Sequence, residues 1–153
     1  MPVNEKQTQG EILYQRDLYK AGGITQWYWD YKDNKILSKI PKDTKKIVDF
    51  GCGEGILLEK IEKYFPSTYT LGIDVIPENI KICEENGLNV LLTEVGKPTP
   101  ISSGSIDVVL LIEVIEHLED PITVLNEVYR ILKSGGILII LFPNDRAFAI
   151  YRL

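Results

Sequence analysis

Two cysteines, Cys52 and Cys83, stand in a chain of 153 residues. Two are too few for a disulfide scaffold, and they do not fall at a metal-binding spacing. No apolar run approaches the roughly 20 residues that a spanning helix needs. Residues Met1 to Gly10 are polar and hold no apolar signal core, so the cytoplasm is the expected location. Basic residues are not in excess, and the formal charge is −5. That balance argues against a broad nucleic-acid footprint, which needs clustered Lys and Arg. The only basic cluster is Lys39-Ile40-Pro41-Lys42-Asp43-Thr44-Lys45-Lys46, read as a solvated loop rather than an RNA contact. The length fits one domain that buries on the order of two-thirds of its unfolded surface.

Glycine is concentrated where it has most consequence. Ile47-Val48-Asp49-Phe50-Gly51-Cys52-Gly53-Glu54-Gly55 reads as a short apolar strand running into a loop with alternate glycines. Ile56, Leu57, Leu58, Ile61 and Tyr64 follow at helical spacing. Without a Cβ, Gly51 and Gly53 let the backbone turn sharply and approach a ligand. Gly55 is expected to seat the helix start against the strand, with the free N–H groups of that terminus facing the ligand. The dinucleotide fingerprint is G-x-G-x-x-G, one residue longer than the spacing here. A nicotinamide-dependent reductase is therefore disfavoured. Cys52 reads as a small filler of the loop.

From Ile47 onward strand and helix patterns alternate, which predicts an α/β sheet. Strands are expected at Lys46–Phe50, Tyr69–Ile73, Asn89–Thr93, Ile106–Ile112 and Ile137–Phe142. Helices are expected at Ile56–Tyr64, at Glu78–Asn86 after Pro77, and from Pro121 to Leu132, the last ended by Gly135-Gly136. Glu94–Ser105 reads as a loop, and Asn144–Leu153 as the start of another helix. Two parts follow: an N-terminal helical and aromatic segment, 1–46, and a sheet domain, 47–153. In the first, a weak helix at Glu11–Lys20 and a second at Gln26–Ile40 flank Gly22-Gly23, and Pro41 stops the second. Trp27, Tyr28, Trp29 and Tyr31 crowd the second helix. They read either as packing onto the sheet or as a lid, in which Tyr28 and Trp29 matter most. Asp74 closes the second strand, nineteen residues past Gly55. A carboxylate there suits the two hydroxyls of a ribose, and a plain cap is the alternative.

The pattern Asp49, then Gly51-x-Gly53-x-Gly55, resembles the first motif of class I S-adenosylmethionine-dependent methyltransferases. Further landmarks follow in the family's order: Pro100 to Val109, then Glu113-Val114-Ile115-Glu116-His117, then Leu132-Lys133-Ser134-Gly135-Gly136-Ile137-Leu138. These look like segments of the type 11 methyltransferases, over residues 46 to about 145. The resemblance implies a Rossmann-like, doubly wound parallel sheet ordered 3-2-1-4-5. It implies S-adenosyl-L-methionine as cofactor, released as S-adenosyl-L-homocysteine, held by Asp49, Gly51, Cys52, Gly53, Gly55, Asp74, Val75, Glu94, Val95, Ile112 and Glu113. Glu94 falls where the family has an acid for the adenine amino group, and Val95 where a backbone N–H meets the ring. Thr93-Glu94-Val95 departs from the Gly-Asp-Ala usual there.

Glu113 and His117, after the fourth strand, are the candidate catalytic pair. His117 is the only histidine. With Glu113 and Glu116 it forms E-x-x-E-H, which some relatives use for a divalent metal. A later histidine of the RNA-modifying group is absent, so no metal is assigned. A proton-transfer role and a structural hydrogen bond both remain open for His117. Methyl transfer from a sulfonium is an in-line displacement that depends mainly on positioning, so no obvious base is required. No Asn/Asp-Pro-Pro-aromatic motif follows the fourth strand, and no Pro-Cys, which disfavours attack by DNA amino groups or on cytosine rings. A small molecule is the expected acceptor. The family fold continues beyond the fifth strand with a helix and two antiparallel strands, the sixth and seventh, which are not expected here. The apolar strand Ile137–Phe142 would then lie at an exposed edge, where a second copy or a partner chain is expected to pair. The alternative to an active enzyme is accordingly a cofactor-binding module, without catalysis of its own, that serves a partner chain.

Overall fold

A computed structural model of the chain describes residues 16, 23–94 and 96–142. Five parallel strands form one sheet: β1 (Lys46–Phe50), β2 (Tyr69–Asp74), β3 (Val90–Leu92), β4 (Ile106–Ile112) and β5 (Leu132–Leu141). Their order is β3-β2-β1-β4-β5, the order that the family resemblance implies. The helices are α1 (Ile24–Leu37), α2 (Ile56–Tyr64), α3 (Pro77–Glu85) and α4 (Pro121–Ile131). The expected helices at Glu11–Lys20 and Asn144–Leu153 fall outside the described residues, apart from the helical Arg16.

The central strands are apolar on both faces because helices cover both. Val48, Phe50, Ile73, Val109 and Leu111 pack with Val128 and Ile131 of α4. On the other face Ile47, Val108 and Leu110 meet Ile36, Leu37 and Ile40 of the α1 region and Ile61 of α2. The segment before residue 47 thus shares the core of the sheet. Asp120 caps α4 by accepting hydrogen bonds from the amides of Ile122 and Thr123, with Pro121 at the first turn.

Several boundaries differ from the sequence expectation by a residue or more, and two of the differences have identifiable reasons. Helix α1 ends at Leu37 rather than Ile40, because the Lys39 and Ile40 amides bond three residues back, to Ile36 and Leu37. Gly135-Gly136 does not end a helix. Helix α4 stops at Ile131 and β5 begins at Leu132, paired with Ile106; Ile137 then pairs with Val108. Residues 133–136 bulge out between these pairs. Gly135 takes φ 75° there, and a Cβ on Gly136 would lie 2.9 Å from the Lys133 carbonyl oxygen. Lys133 closes the bulge by pairing with Asp107, whose carboxylate also accepts the amides of Lys45 and Lys46. That partnership with Lys133 holds the Asp107 carboxyl below its usual range.

The aromatic cluster does not dock α1 on the sheet. Trp27, Tyr28 and Tyr31 are 67%, 54% and 52% exposed, and Trp27 stacks on Tyr31. Docking falls instead to Ile36, Leu37 and Ile40 one face round. Lys39, Lys42, Lys45 and Lys46 are exposed. Ile137, Ile140 and Phe142 are exposed at the β5 edge.

Helix α4 also braces the loop between β3 and β4. Glu127 accepts from the amide and hydroxyl of Thr99, and Arg130 binds Glu127 and the carbonyls of Thr99 and Ile101. The Arg130 hydrogen bond, with help from Thr99, pulls the Glu127 carboxyl down to about 2. Its folded pKa lies below the ordinary 4.5, so its stabilisation is complete above about pH 4.5 and is lost as the pH falls toward 2. Glu127→Gln is expected to destabilise the fold by roughly 1–3 kcal/mol at neutral pH. Denaturant melts between pH 7 and pH 2.5 should show the gap to the parent closing as pH drops.

Candidate active site

The strand ends dictate where the site lies. In a doubly wound sheet the crevice opens at the carboxyl ends of the strands, where the order reverses. Here that point is the gap between β1 and β4, and two cavities meet above it. The smaller, about 140 Å³, is lined by Asp49, Gly51, Cys52, Gly53, Ile56, Leu57, Ile112 and Glu113, and by Trp29, Lys32 and Asp33 of α1. The larger, about 630 Å³ and mainly apolar, includes Gly51, Asp74, Val75, Glu94, Glu113, His117 and Thr123. Gly51 and Glu113 border both.

The glycine loop is held from two sides. The amides of Gly51 and Cys52 both donate to the Ile73 carbonyl of β2, at 2.7 and 3.0 Å. Gly51 and Gly53 have φ 74° and 55°, backbone that favours glycine. A Cβ on Gly51 would also lie 2.4 Å from Val114 Cγ2. Gly55 has a different neighbour from the one expected. A Cβ there would lie 2.3 Å from Leu88 and 2.9 Å from Cys83, so it seats the start of α2 against the α3 region, not a strand. Gly55 lines neither cavity.

Asp74 is buried at the end of β2. Its Oδ2 accepts the Gly53 amide at 2.8 Å and its Oδ1 the Ile76 amide at 2.9 Å. A carboxylate offers about four acceptor sites, so each oxygen keeps room for a hydroxyl. Val75 is exposed beside it, and Glu94 sits on the rim, near Lys97. Val95 lies outside the described residues.

Asp49 is 3% exposed, and no hydrogen bond among the described residues reaches its carboxylate. Burial, with the charges of Asp74 and Asp33 nearby, pushes its carboxyl up to about 7. Across the same small cavity stands Lys32, 9% exposed. Its Nζ lies 3.8 Å from the Trp29 ring centroid and donates to Glu113 Oε2 at 3.0 Å. Lys32, paired with Glu113, and the buried Asp49 thus line one chamber. Of the two suspected lid aromatics, Trp29 lines this chamber and Tyr28 does not.

Glu113 is the one non-glycine residue at positive φ (57°) among those described. Strained backbone of this kind collects at functional sites. His117 lies in a 3₁₀ turn, Ile115–His117, exposed at the larger cavity. Among the described residues no three of His, Cys, Asp and Glu group as a metal site, and none of the helices is long and apolar enough to cross a membrane.

No motif points to Lys32, Asp33 or Arg16. The available signal for the first two is charge at inward positions of α1, between Trp29 and Ile36. Lys60 of α2 binds Asp30 and Asp33, pinning the helix over the site. Arg16 donates to the Glu54 carbonyl and to Glu59, tying the N-terminal segment to the glycine loop.

A model of the Methyltransferase domain matches residues 48–140, more than half of the chain. The chain belongs to that family. A ubiquinone biosynthesis O-methyltransferase of Cereibacter sphaeroides is 31% identical over 144 residues, covering 90% of this chain. The chain spans 58% of that relative's length. Among solved structures, PH0226 from Pyrococcus horikoshii has TM-score 0.71 at 22% identity, covering 87% of this chain and 61% of its own. The plantazolicin methyltransferase BpumL, solved with S-adenosylhomocysteine (SAH), has TM-score 0.67 at 22% identity, covering 86% and 58%. At these identities the two structures establish the shared methyltransferase fold.

Asp49 makes a prediction independent of any ligand. Its folded pKa of about 7 lies above the ordinary 3.8, so it destabilises the fold progressively as pH rises from about 4 to 7. Asp49→Asn should therefore stabilise the protein at pH 8, by at most about 4 kcal/mol, and by little near pH 4. Thermal melts across that range check the sign; a destabilised variant at pH 8 contradicts it.

Proposed function

We propose that this chain binds S-adenosyl-L-methionine across the ends of β1 and β2 and transfers its methyl group to a small-molecule acceptor. The observation that carries this reading is the paired cavity joined at Gly51 and Glu113. One chamber is small and holds opposite buried charges, and the other is large and apolar with a carboxylate at its wall. A ligand with an amino-acid end and a nucleoside end needs those two environments. Asp49 would take the ammonium of the amino-acid end, and Lys32 its carboxylate. Asp74 would hold the ribose hydroxyls through the acceptor sites its amide partners leave free. Val75, Thr93 and Glu94 would border the adenine, with the Glu94 carboxylate reaching its amino group.

When bound, the cofactor supplies a methyl already activated by its sulfonium. The protein's part is then to orient, desolvate and, for an acceptor O–H, to take a proton. Glu113, turned inward by its backbone at the junction of the chambers, and His117, on the wall of the larger one, are the groups we assign to that proton. That assignment fits the O-methyltransferase named among the relatives.

A second reading is a cofactor-binding module that needs a partner chain for turnover. The exposed Ile137, Ile140 and Phe142 favour it, since an apolar edge strand is a surface for pairing. A second copy seated there would appear as a dimer in light scattering, and a dimer disrupted by Ile140→Lys would locate the contact.

Calorimetric titration with S-adenosylmethionine, beside a methyl-transfer screen over phenolic, carboxylate and amine acceptors, tests the proposal. Tight binding with turnover of at least one acceptor supports it. Binding without turnover leaves the module reading, and no binding removes both. Asp74→Ala should weaken binding by roughly 1–3 kcal/mol, a factor of about 5 to 150. Gly53→Val should abolish it, because the side chain strains a φ of 55° and fills the ligand's approach. A folded Gly53→Val protein of normal affinity contradicts the loop's role.

A further inference from the structure

The two cysteines are neighbours neither in sequence nor in element, yet they meet behind the glycine loop. Cys52 lies in the loop and Cys83 on α3, and both are buried and unbridged. Each thiol is directed at the same acceptor: the Gly53 carbonyl oxygen is 3.7 Å from Cys52 Sγ and 3.3 Å from Cys83 Sγ. Both side chains also belong to one small buried cluster with Leu58 and Leu88. Around them the packing is close. A Cβ on Gly72 would lie 2.7 Å from Cys52 Sγ, and one on Gly55 2.9 Å from Cys83 Sγ. Only one of the pair has a route to solvent, since Cys52 lines the smaller cavity while Cys83 is fully enclosed.

We propose that Cys52 and Cys83 form an oxidisable dithiol whose disulfide weakens cofactor binding, so that the pocket is redox-sensitive and its own ligand protects it. The second half rests on the reading that the cavity binds S-adenosylmethionine. The oxidant is a small hydroperoxide able to enter the smaller cavity. It transfers one oxygen to the Cys52 sulfur, the O–O bond breaks, and an alcohol or water leaves, giving a sulfenic acid. The Cys83 sulfur then attacks the Cys52 sulfur. The new S–S bond forms as the S–O bond breaks, and the hydroxide leaves as water with the Cys83 proton. In sum two thiols lose two electrons and two protons, and the hydroperoxide is reduced to alcohol and water.

The chemistry assigns the two sulfurs different parts. The neighbouring Cys83, together with burial, pushes the Cys52 thiol well above the ordinary thiol range. The same pairing pulls Cys83 down. Cys52 therefore meets the oxidant by access, and slowly, while Cys83 is the better attacking sulfur. The consequence for the site follows from the shared oxygen. Oxidation removes both S–H donors from the Gly53 carbonyl and ties the loop covalently to α3. The amide of that same Gly53 is the donor to Asp74 Oδ2, so the disturbance reaches the carboxylate assigned to the ribose.

The test treats the full chain with excess tert-butyl hydroperoxide, with and without saturating SAH, and reads intact mass, peptide maps and affinity for SAH. The expected result is loss of 2 Da, a Cys52–Cys83 peptide, at least tenfold weaker binding, slower oxidation with SAH present, and full recovery with dithiothreitol. Cys83→Ser should lose no 2 Da. Should that variant not fold, the comparison of the parent chain with and without SAH carries the test alone. Absence of the cross-link, or only sulfinic acid at Cys52, overturns the proposal. A cross-linked protein that binds SAH as the reduced one does overturns the redox control and leaves the cofactor site standing. Reduced protein that binds no SAH overturns instead the cofactor reading, and with it the control.

Discussion

The carboxylate of Asp74 is the tie on which the site depends. One oxygen holds the Gly53 amide and the other the Ile76 amide, so a single buried side chain joins the loop after β1 to the loop after β2. Those two loops belong to different strands and would otherwise drift independently. The Ile73 carbonyl reinforces the join by accepting the Gly51 and Cys52 amides. Together these four bonds hold the glycine loop and the Asp74 carboxylate in one corner before any ligand arrives. Preorganisation of that kind lowers the entropy that binding must overcome.

The second feature is an imbalance of charge held in place by packing. Asp49 and Asp33 line the small chamber with Asp74 close by, and burial makes the first of them reluctant to ionise. Lys60 engages Asp33 and Asp30, and Lys32 engages Glu113, which leaves Asp49 without a partner among the described residues. Such an arrangement lowers the stability of the folded chain at neutral pH. A cation beside Asp49 would offset that cost, and this is the ground on which an ammonium-bearing ligand is proposed there.

Much of this was legible from residue order. β4 stands out because a buried parallel strand is a continuous apolar run, and α2 because its apolar residues repeat at helical spacing behind glycines. The reversal point then follows from topology. Other features are long-range and leave no local mark. Lys32 looks like one more polar residue of a polar helix until α1 is laid over the β1–β4 gap. The positive φ of Glu113 cannot be anticipated for a glutamate. Gly135-Gly136 reads as a helix stop because glycine pairs usually are one, whereas here they allow a bulge that Asp107 and Lys133 close. The aromatic cluster misleads for a similar reason: Trp27 and Tyr31 stack on each other at the surface rather than pack on the sheet.

The most direct test is a crystal structure of the chain with SAH. The account predicts adenine in the larger cavity, both ribose hydroxyls on Asp74, and the amino-acid end in the smaller chamber between Asp49 and Lys32. Ligand density elsewhere, or a small chamber that stays closed by Trp29 and Lys32 while the ligand binds, would contradict it.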